Sequence, residues 1–426
     1  MAGKRKNKKK TEDDIIVGLD VGTTKICVIV ARVKDESNID ILGIGKAPSF
    51  GLHRGIVVNP TKTSESIREA ISEAEMKSGI EISSVSVGIA GHYIRCIQSN
   101  SAIGINNSDR VIQEQDVQRL IEQAKIIKLP SDTTIIDVIP QEYIIDGKDG
   151  IFETPVGMFG TRLEAKVNII TGLVSSIDDL SKCVMSCDVD IDDIVLEPIA
   201  SSYSVLDETE KKVGVAMIDI GGGTSDIAVF KKGVLKYTAG IGIAGNLVTN
   251  DIVEALGISD EEAERIKREY GYATVSEILN DEEIMVQSIR DIPKKTSKSI
   301  LARIIQARMQ DIFELSAIEI QNSQISKELH AGVVITGGGS LVKGTKELAE
   351  KILGMDVNLG IPTGLTGGLI REVENPIFAT GVGLVLHRLK TMNDKNKMTE
   401  FRNTRRNKEL TMKGIFNKVK AWFDEL

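Results

Sequence analysis

The sequence predicts an α/β protein built as two related lobes, with one inserted α+β subdomain and one helical insertion. Three observations carry this. Residues 15–29 (IIVGLDVGTTKICVI) and 215–229 (VAMIDIGGGTSDIAV) share one pattern: an apolar run ending in Asp, a turn rich in Gly and Thr, then a second apolar run. The elements flanking each turn recur in the same order. Each half is then interrupted at a different place.

In the first half, apolar runs at 15–19, 26–33 and 39–45 read as strands. Helical spacing follows over 62–78, where Ile67, Ala70, Ile71 and Ala74 fall on one face. Val85–Ile89 is a further strand, completing a βββαβ unit. The second half repeats it: strands at 215–219, 227–230 and 234–238, then a helix near 246–256. Only a short stretch separates the third strand from the first helix, too little for an inserted domain. Residues 96–174 form an insertion placed after the βββαβ core, with a helix at Glu114–Lys125 and strands at Thr134–Val138 and Ala165–Ile170. Residues 246–325 carry long helical patterns and few strands. Gly332–Thr336 returns to strand, followed by GGGS and a helix from Thr345. The expected first lobe is therefore 13–95 with 175–205, and the second 206–245 with 326–389.

Length and composition set bounds. The 426 residues suffice for two lobes, each with its own core. A hydrophobic fraction of 41% and a charged fraction of 27% are those of an ordinary globular chain. The net charge of −8 argues against a nucleic-acid binder. Cys27, Cys96, Cys183 and Cys187 lack CxxC spacing, and the pair at 183 and 187 is too few for a zinc site; free thiols in a reducing compartment are expected. His53, His92, His330 and His387 are scattered and form no triad or ligand set. No apolar run approaches a membrane span. The start, MAGKRKNKKKTEDD, has no hydrophobic stretch, so residues 1–12 read as a disordered basic tail.

The paired turns carry the chemistry. A strand–DxG–strand hairpin points backbone N–H groups and hydroxyls into its turn, a nest for phosphate oxygens. The first turn offers Asp20, Gly22, Thr23, Thr24 and Lys25, the lysine as a point charge for a β- or γ-phosphate. The second offers Asp219, Gly221, Gly222, Gly223, Thr224 and Ser225. An Asp at each strand end is placed to hold Mg²⁺, directly or through water. Glu197, which opens a helix, is a third acid within reach of metal-bound water. Thr336-Gly337-Gly338-Gly339-Ser340 lies between strand and helix and lets a ligand approach the backbone closely; a plain βα loop is the alternative. Two such hairpins closing on one nucleoside triphosphate define the expected cleft.

Together LDVGTTK, LEPIASSY, DIGGGTSD, TGGGSLVKG and NPIFATGVGL resemble the actin/Hsp70/sugar-kinase ATPase superfamily. VGIAGHYI and IPQEYIIDGKDGIFETPVGMFGTRLEAKVNIITG narrow the resemblance to the bacterial cell-division FtsA family, over residues 13–389. That resemblance implies duplicated actin-like (ribonuclease H-like) domains around a nucleotide cleft, ATP and Mg as cofactors, and at most slow hydrolysis with no nameable catalytic residue. It implies that Glu264 and Lys267 touch the ribose. It also implies that Arg308 and Asp311 bind the C-terminal peptide of the tubulin-like GTPase FtsZ. From the residues alone, both are charged i, i+3 pairs on a helix. Ser225 stands where a second threonine is common, and Ser340 follows a third glycine.

Residues 390–409 are polar and basic, a flexible linker. Within 410–426, Met412, Ile415, Phe416, Val419, Trp422, Phe423 and Leu426 fall on one side of a helix, with lysines and acids opposite. This is the pattern of an interfacial anchor; docking on a partner is the alternative. At ~1 kcal/mol per large side chain the anchor is weak, and side-by-side copies would gain avidity. The expectation is an ATP-dependent filament that is peripheral on the cytoplasmic face of the cell membrane at the division site. Its expected partners are FtsZ, lipids, copies of itself and later division proteins. A small-molecule kinase would need a base in the first insertion, and no convincing one is present. A chaperone would need a substrate domain after residue 389, and a pilus-assembly relative would not be expected to end in this helix.

Overall fold

Ile15–Val21 (β1) is buried along nearly its whole length, as an apolar strand in the middle of a sheet must be. The computed structural model describes residues 15–393 apart from 37, 152–153 and 289–292. β1 turns back antiparallel into Lys25–Val33 (β2), which pairs with Ile39–Pro48 (β3). A small hairpin, Leu52–His53 (β4) and Ile56–Val57 (β5), leads into the helix Pro60–Ser78 (α1). Asn59 caps α1 by accepting the Lys62 N–H, a proline sits in its first turn, and Gly79 ends it in the left-handed conformation. Ile67, Ala70, Ile71 and Ala74 are its buried face. Ser84–Ile89 (β6) then lies parallel to β1.

The chain next builds a separate antiparallel sheet from Arg95–Gly104 (β7), Thr133–Ile145 (β8), Lys148–Ile151 (β9) and Arg162–Leu173 (β10), in the order β7-β10-β8-β9. The helix Glu114–Ala124 (α2) packs Leu120 and Ala124 against Leu163, Val167 and Ile169. β7 has no apolar run to read: it is an edge strand with most residues exposed. The helix Val174–Met185 (α3) and the strand Asp190–Leu196 (β11) return to the first sheet, followed by Glu197–Val205 (α4) and Glu208–Val213 (α5).

The repeat is then played out in three dimensions. Val215–Ile220 (β12), Ser225–Lys231 (β13) and Val234–Ile241 (β14) form an antiparallel meander. Helices Gly245–Leu256 (α6) and Asp260–Tyr270 (α7), a ribbon Glu283–Gln287 (β15) and Pro293–Ser297 (β16), and the long helix Lys298–Asn322 (α8) follow. Val333–Thr336 (β17), Thr345–Leu353 (α9) and Val357–Leu359 (β18) complete the second sheet. Its order β14-β13-β12-β17-β18 matches β3-β2-β1-β6-β11 strand for strand, with the same parallel and antiparallel pairings. α8 buries Ile305, Met309, Ile312 and Phe313 in the core beneath that sheet.

The segment after residue 360 departs from the sequence reading, which kept 326–389 in the second lobe. Gly367–Gly368 (β19) adds to the first sheet beside β3, and Ile370–Val373 (α10) with a helix over 379–393 packs on that sheet's other face. Val373, Phe378, Val382, Val385 and Leu389 share a core with Ile16, Cys27 and Ile29. The apolar face of this helix matches the uncovered face of the first sheet, which local periodicity cannot reveal. Residues 390–393 continue the helix rather than opening a linker. Conversely, α4 leaves the first sheet and packs Ile199 and Val205 with Met217, Ala228 and Phe230 of the second. The two helices cross between the lobes, where Gly383 lies so close to α4 that a Cβ there would fall 1.9 Å from the Ala200 carbonyl oxygen.

Among the described residues no helix is long and apolar enough to cross a membrane. The expected anchor residues Met412, Ile415, Phe416, Val419, Trp422, Phe423 and Leu426 lie outside the described residues.

Candidate functional site

The two Gly-Thr turns close in the same way. Gly22 N–H donates to the Lys25 carbonyl at 3.1 Å, and Gly221 N–H to the Thr224 carbonyl at 2.9 Å. The turns face each other so closely that a side chain on Gly222 or Gly223 would force Thr24 or Thr23 to shift. A Cβ on Gly222 would lie 1.9 Å from Thr24 Oγ1, and one on Gly223 2.4 Å from Thr23 Oγ1. Between and beside them lies a cleft of about 490 Å³, within the range of small-molecule sites. Asp20, Gly22, Thr23, Thr24 and Lys25 line it, as do Glu197, Asp219, Gly221 through Thr224, Glu264, Lys267 and Gly337 through Gly339.

Ser225 is the exception among the residues picked from the motifs. It is fully buried at the start of β13, and its hydroxyl donates to the Ile243 carbonyl at 2.7 Å. It anchors the turn and does not face the cleft. The strand register decides this, because alternate residues leaving a turn point to opposite faces. Arg308 and Asp311 lie on α8 apart from the cleft lining.

Lys25 is held at the cleft edge, donating to the Ile377 carbonyl at 2.5 Å with its ammonium 4.8 Å from the Phe378 ring centre. Gly337 has φ +80°, which favours glycine; a Cβ there would lie 2.3 Å from Asp219 Oδ1. The third loop thus touches the end of β12 directly. Lys267, on α7, is buried and donates to the Gly245 carbonyl at 3.1 Å and Thr249 Oγ1 at 2.7 Å, with Glu264 beside it at 2.5 Å. Burial lowers the Lys267 pKa against the pull of Glu264. Burial acts to raise Glu264, but the charge and hydrogen bond of Lys267, the Thr249 hydroxyl and the charge of Arg268 together outweigh it and leave that carboxyl low. These two residues form a fixed ionic shelf under the start of α6.

The structure adds residues that the motifs did not single out. Asn246 accepts from Thr24 Oγ1 at 3.0 Å, joining the two lobes across the cleft. Thr380 and Ser201 both reach the Asp219 carboxylate, at 3.4 and 2.7 Å. Asp226 sits on the floor, accepting from Thr224 at 2.9 Å. The second turn reads DIGGGTSD, and its final Asp was the available signal. Thr380 lies within the quoted NPIFATGVGL stretch, whereas Asn246 comes from a distant segment and carries no signal.

Four acids therefore share the cleft floor, Asp20 and Asp226 buried and Glu197 and Asp219 half-buried. Burial raises the Asp20 carboxyl to about 6, with Lys25 opposing and Asp219 adding. Burial raises Asp226 to about 7, with the Thr224 hydroxyl opposing and Asp219 adding. Glu197 lies well above its ordinary value through burial and then Asp20, Asp226 and Asp219. Asp219 is raised by burial against the Ser201 and Thr380 hydroxyls. Among the described residues, no group of three or more His, Cys, Asp or Glu converges tightly enough to hold a metal ion unaided. The floor suits an ion whose remaining ligands are water and phosphate oxygens, as Mg²⁺ prefers.

A pH dependence follows. Folding takes up protons wherever a carboxyl is raised above its unfolded value, so stability from this floor is full below pH ~4 and is lost as pH rises through about 6 to 7. The ligand-free protein is expected to melt at a higher temperature at pH 5.5 than at pH 8 in EDTA. Over that pH range Asp20 and Asp226 together account for on the order of 3 kcal/mol. Asp226→Asn should flatten that slope in differential scanning fluorimetry, and an unchanged slope would count against a protonated floor.

The family described as "Cell division protein FtsA" matches residues 216–383, and that described as "SHS2 domain inserted in FTSA" matches residues 91–171, the span of the separate four-stranded sheet. The chain is 42% identical over 386 residues to the cell division protein FtsA of Pseudomonas aeruginosa, covering 90% of this chain and 92% of that one. The FtsA of Bacillus subtilis is 37% identical over 374 residues, covering 88% and 83%. Among solved structures, the PilM–PilN type IV pilus biogenesis complex matches with a TM-score of 0.63 at 14% identity, over 88% of this chain and 98% of that one. MreB5 of Spiroplasma citri bound to ADP matches with a TM-score of 0.55 at 14% identity, over 91% and 99%. The structural matches establish an actin-like ATPase fold, and the sequence matches establish that this chain belongs to the FtsA family of cell-division proteins.

Proposed function

We propose that this protein binds ATP with Mg²⁺ in the inter-lobe cleft, polymerises at the cytoplasmic face of the cell membrane, and tethers FtsZ there. The observation that carries the reading is the pair of facing phosphate-type turns, closed by matching bonds and flanked by four acids on the cleft floor. Asp20, Asp219 and Glu197 would hold Mg²⁺, partly through water. The turn backbones, Thr23, Thr24, Thr224 and Lys25 would take the phosphates. Glu264 and Lys267 would take the ribose, and Gly337 through Gly339 would border the adenosine. When bound, the metal supplies charge neutralisation between the phosphates. In this reading the nucleotide serves to set the angle between lobes that cross at Gly383 and Ala200. Hydrolysis is slow in this reading, and filament assembly is what the site governs.

Arg308 and Asp311 are assigned to the FtsZ peptide, and later division proteins are further partners. Residues 410–426 are assigned to the lipid surface. Their single copy is weak, so attachment depends on assembly. Deleting 410–426 is expected to abolish co-sedimentation with liposomes while leaving ATP affinity unchanged. Pelleting that persists in the truncated chain refutes the anchor. With the full chain, ATP should raise the pelleted fraction several-fold through avidity.

A further inference from the structure

Arg308 is already occupied. Its Nε and Nη2 donate to the two oxygens of Asp251 at 2.7 and 3.1 Å, and Nη1 donates to Asp311 Oδ2 at 3.0 Å. The Asp251 contact is the side-on bidentate arrangement, which gives a guanidinium–carboxylate pair its geometric specificity. Glu254 adds a third negative charge to the surroundings of Arg308. One cation faced by three carboxylates is a net repulsive site for an acidic peptide. A peptide carboxylate can gain Arg308 only by displacing one that is already there.

The carboxylate that matters is Asp251, because of the helix that carries it. Asp311 is on α8 with Arg308 and moves with it. Asp251 is on α6, which starts at the phosphate turn. Gly245 N–H donates to the Gly221 carbonyl at 3.1 Å and Asn246 N–H to the Gly222 carbonyl at 2.8 Å. The Asn246 side chain is gripped across the cleft by Thr24. Lys267 and Thr249 add bonds to the Gly245 carbonyl. From Asn246 to Asp251 is about 7.5 Å of one rigid helix.

We propose that Asp251 is an internal stand-in for the partner's carboxylate on Arg308, and that α6 makes its release depend on the cleft. A phosphate between the turns competes for Thr24, loosening the Thr24–Asn246 bond that holds α6 where Asp251 reaches Arg308. The seam between α6 and α8 is then an acidic-peptide site that opens when nucleotide binds. This rests on the assignment of Arg308 to peptide binding given above, and it adds the residue that closes the site and the element that opens it.

The test is fluorescence anisotropy of a labelled peptide of the FtsZ C-terminus with the full chain, with and without Mg-AMPPNP. Wild type should bind about threefold or more tightly with nucleotide. Asp251→Asn, which keeps size and removes charge, should bind about fivefold or more tightly than nucleotide-free wild type. Its affinity should no longer respond to nucleotide. Asp251→Ser serves if the asparagine variant does not fold. Equal or weaker binding by the Asp251 variants, or wild-type affinity indifferent to nucleotide, overturns the proposal. Arg308→Glu separates the two readings. If it leaves peptide binding unchanged, the peptide assignment itself fails. If it abolishes binding while the Asp251 variants behave as wild type, only the stand-in fails.

Discussion

Replacing Asp219 by alanine is expected to abolish Mg-ATP binding, weakening it by at least 100-fold, or about 3 kcal/mol. Asp219 ends β12 against the third glycine loop, and Ser201 and Thr380 both donate to its carboxylate. It therefore ties the second turn to α4, to the last helix and to the third glycine loop. Asp219→Asn separates charge from shape. An asparagine oxygen can still accept from Ser201 and Thr380, so the fold should survive and the ligand-free protein should melt no lower than wild type, because a partly desolvated charge has been removed. Its Mg-ATP affinity should nevertheless fall almost as far as that of the alanine variant. Isothermal titration of both variants with Mg-ATP checks this, and unchanged affinity in either refutes the assignment of the cleft.

The second large effect is expected far from any ligand. Gly383→Ala should lower stability by about 3 kcal/mol. A Cβ there would lie 1.9 Å from the Ala200 carbonyl oxygen and 2.3 Å from its carbon. Backbone must move, because no side chain is available to swing away. The two inter-lobe helices would part, taking with them the Ser204 bond to the Ala379 carbonyl at 2.7 Å and the Ser201–Thr380 contact at 3.0 Å. Since Ser201 and Thr380 also hold Asp219, the same change should weaken ATP binding by about tenfold or more. Gly79→Ala is the control: Gly79 has φ +68° and nothing within 4 Å of its Cβ position. It should cost only about 1 kcal/mol of backbone strain and leave ATP affinity alone. Thermal melts and titrations of both variants distinguish crossing from strain. Equal losses in the two would refute the close crossing as the cause.

Much of this architecture is legible locally. The paired DxG turns, the βββαβ order and the buried face of α1 all follow from period and turn chemistry. Most strand ends shifted by only a few residues, but β8 runs on from the expected Val138 to Ile145. Locally illegible elements share a cause. β7 is an exposed edge strand without an apolar run, and the helix over 379–393 is apolar in a way that fits either lobe. Ser225 was misplaced by motif reading because a motif does not state which face of the strand a residue takes. Asp226 was visible at the end of DIGGGTSD but stood one residue beyond the turn.

By itself, the sequence determined that there are two phosphate-type turns, which strands frame them, and which residue types supply donors and carboxylates. Those are consequences of nearest neighbours: hydrophobic period, glycine freedom and hydroxyl placement. Only the tertiary structure decided how closely the turns face each other, that Asp226 joins Asp20, Glu197 and Asp219 on the cleft floor, and that α4 and the last helix exchange lobes at Gly383. It alone placed Asp251 on Arg308, 57 positions away in sequence. Burial and the register of distant strands set those contacts, and neither is a property of any short stretch of chain.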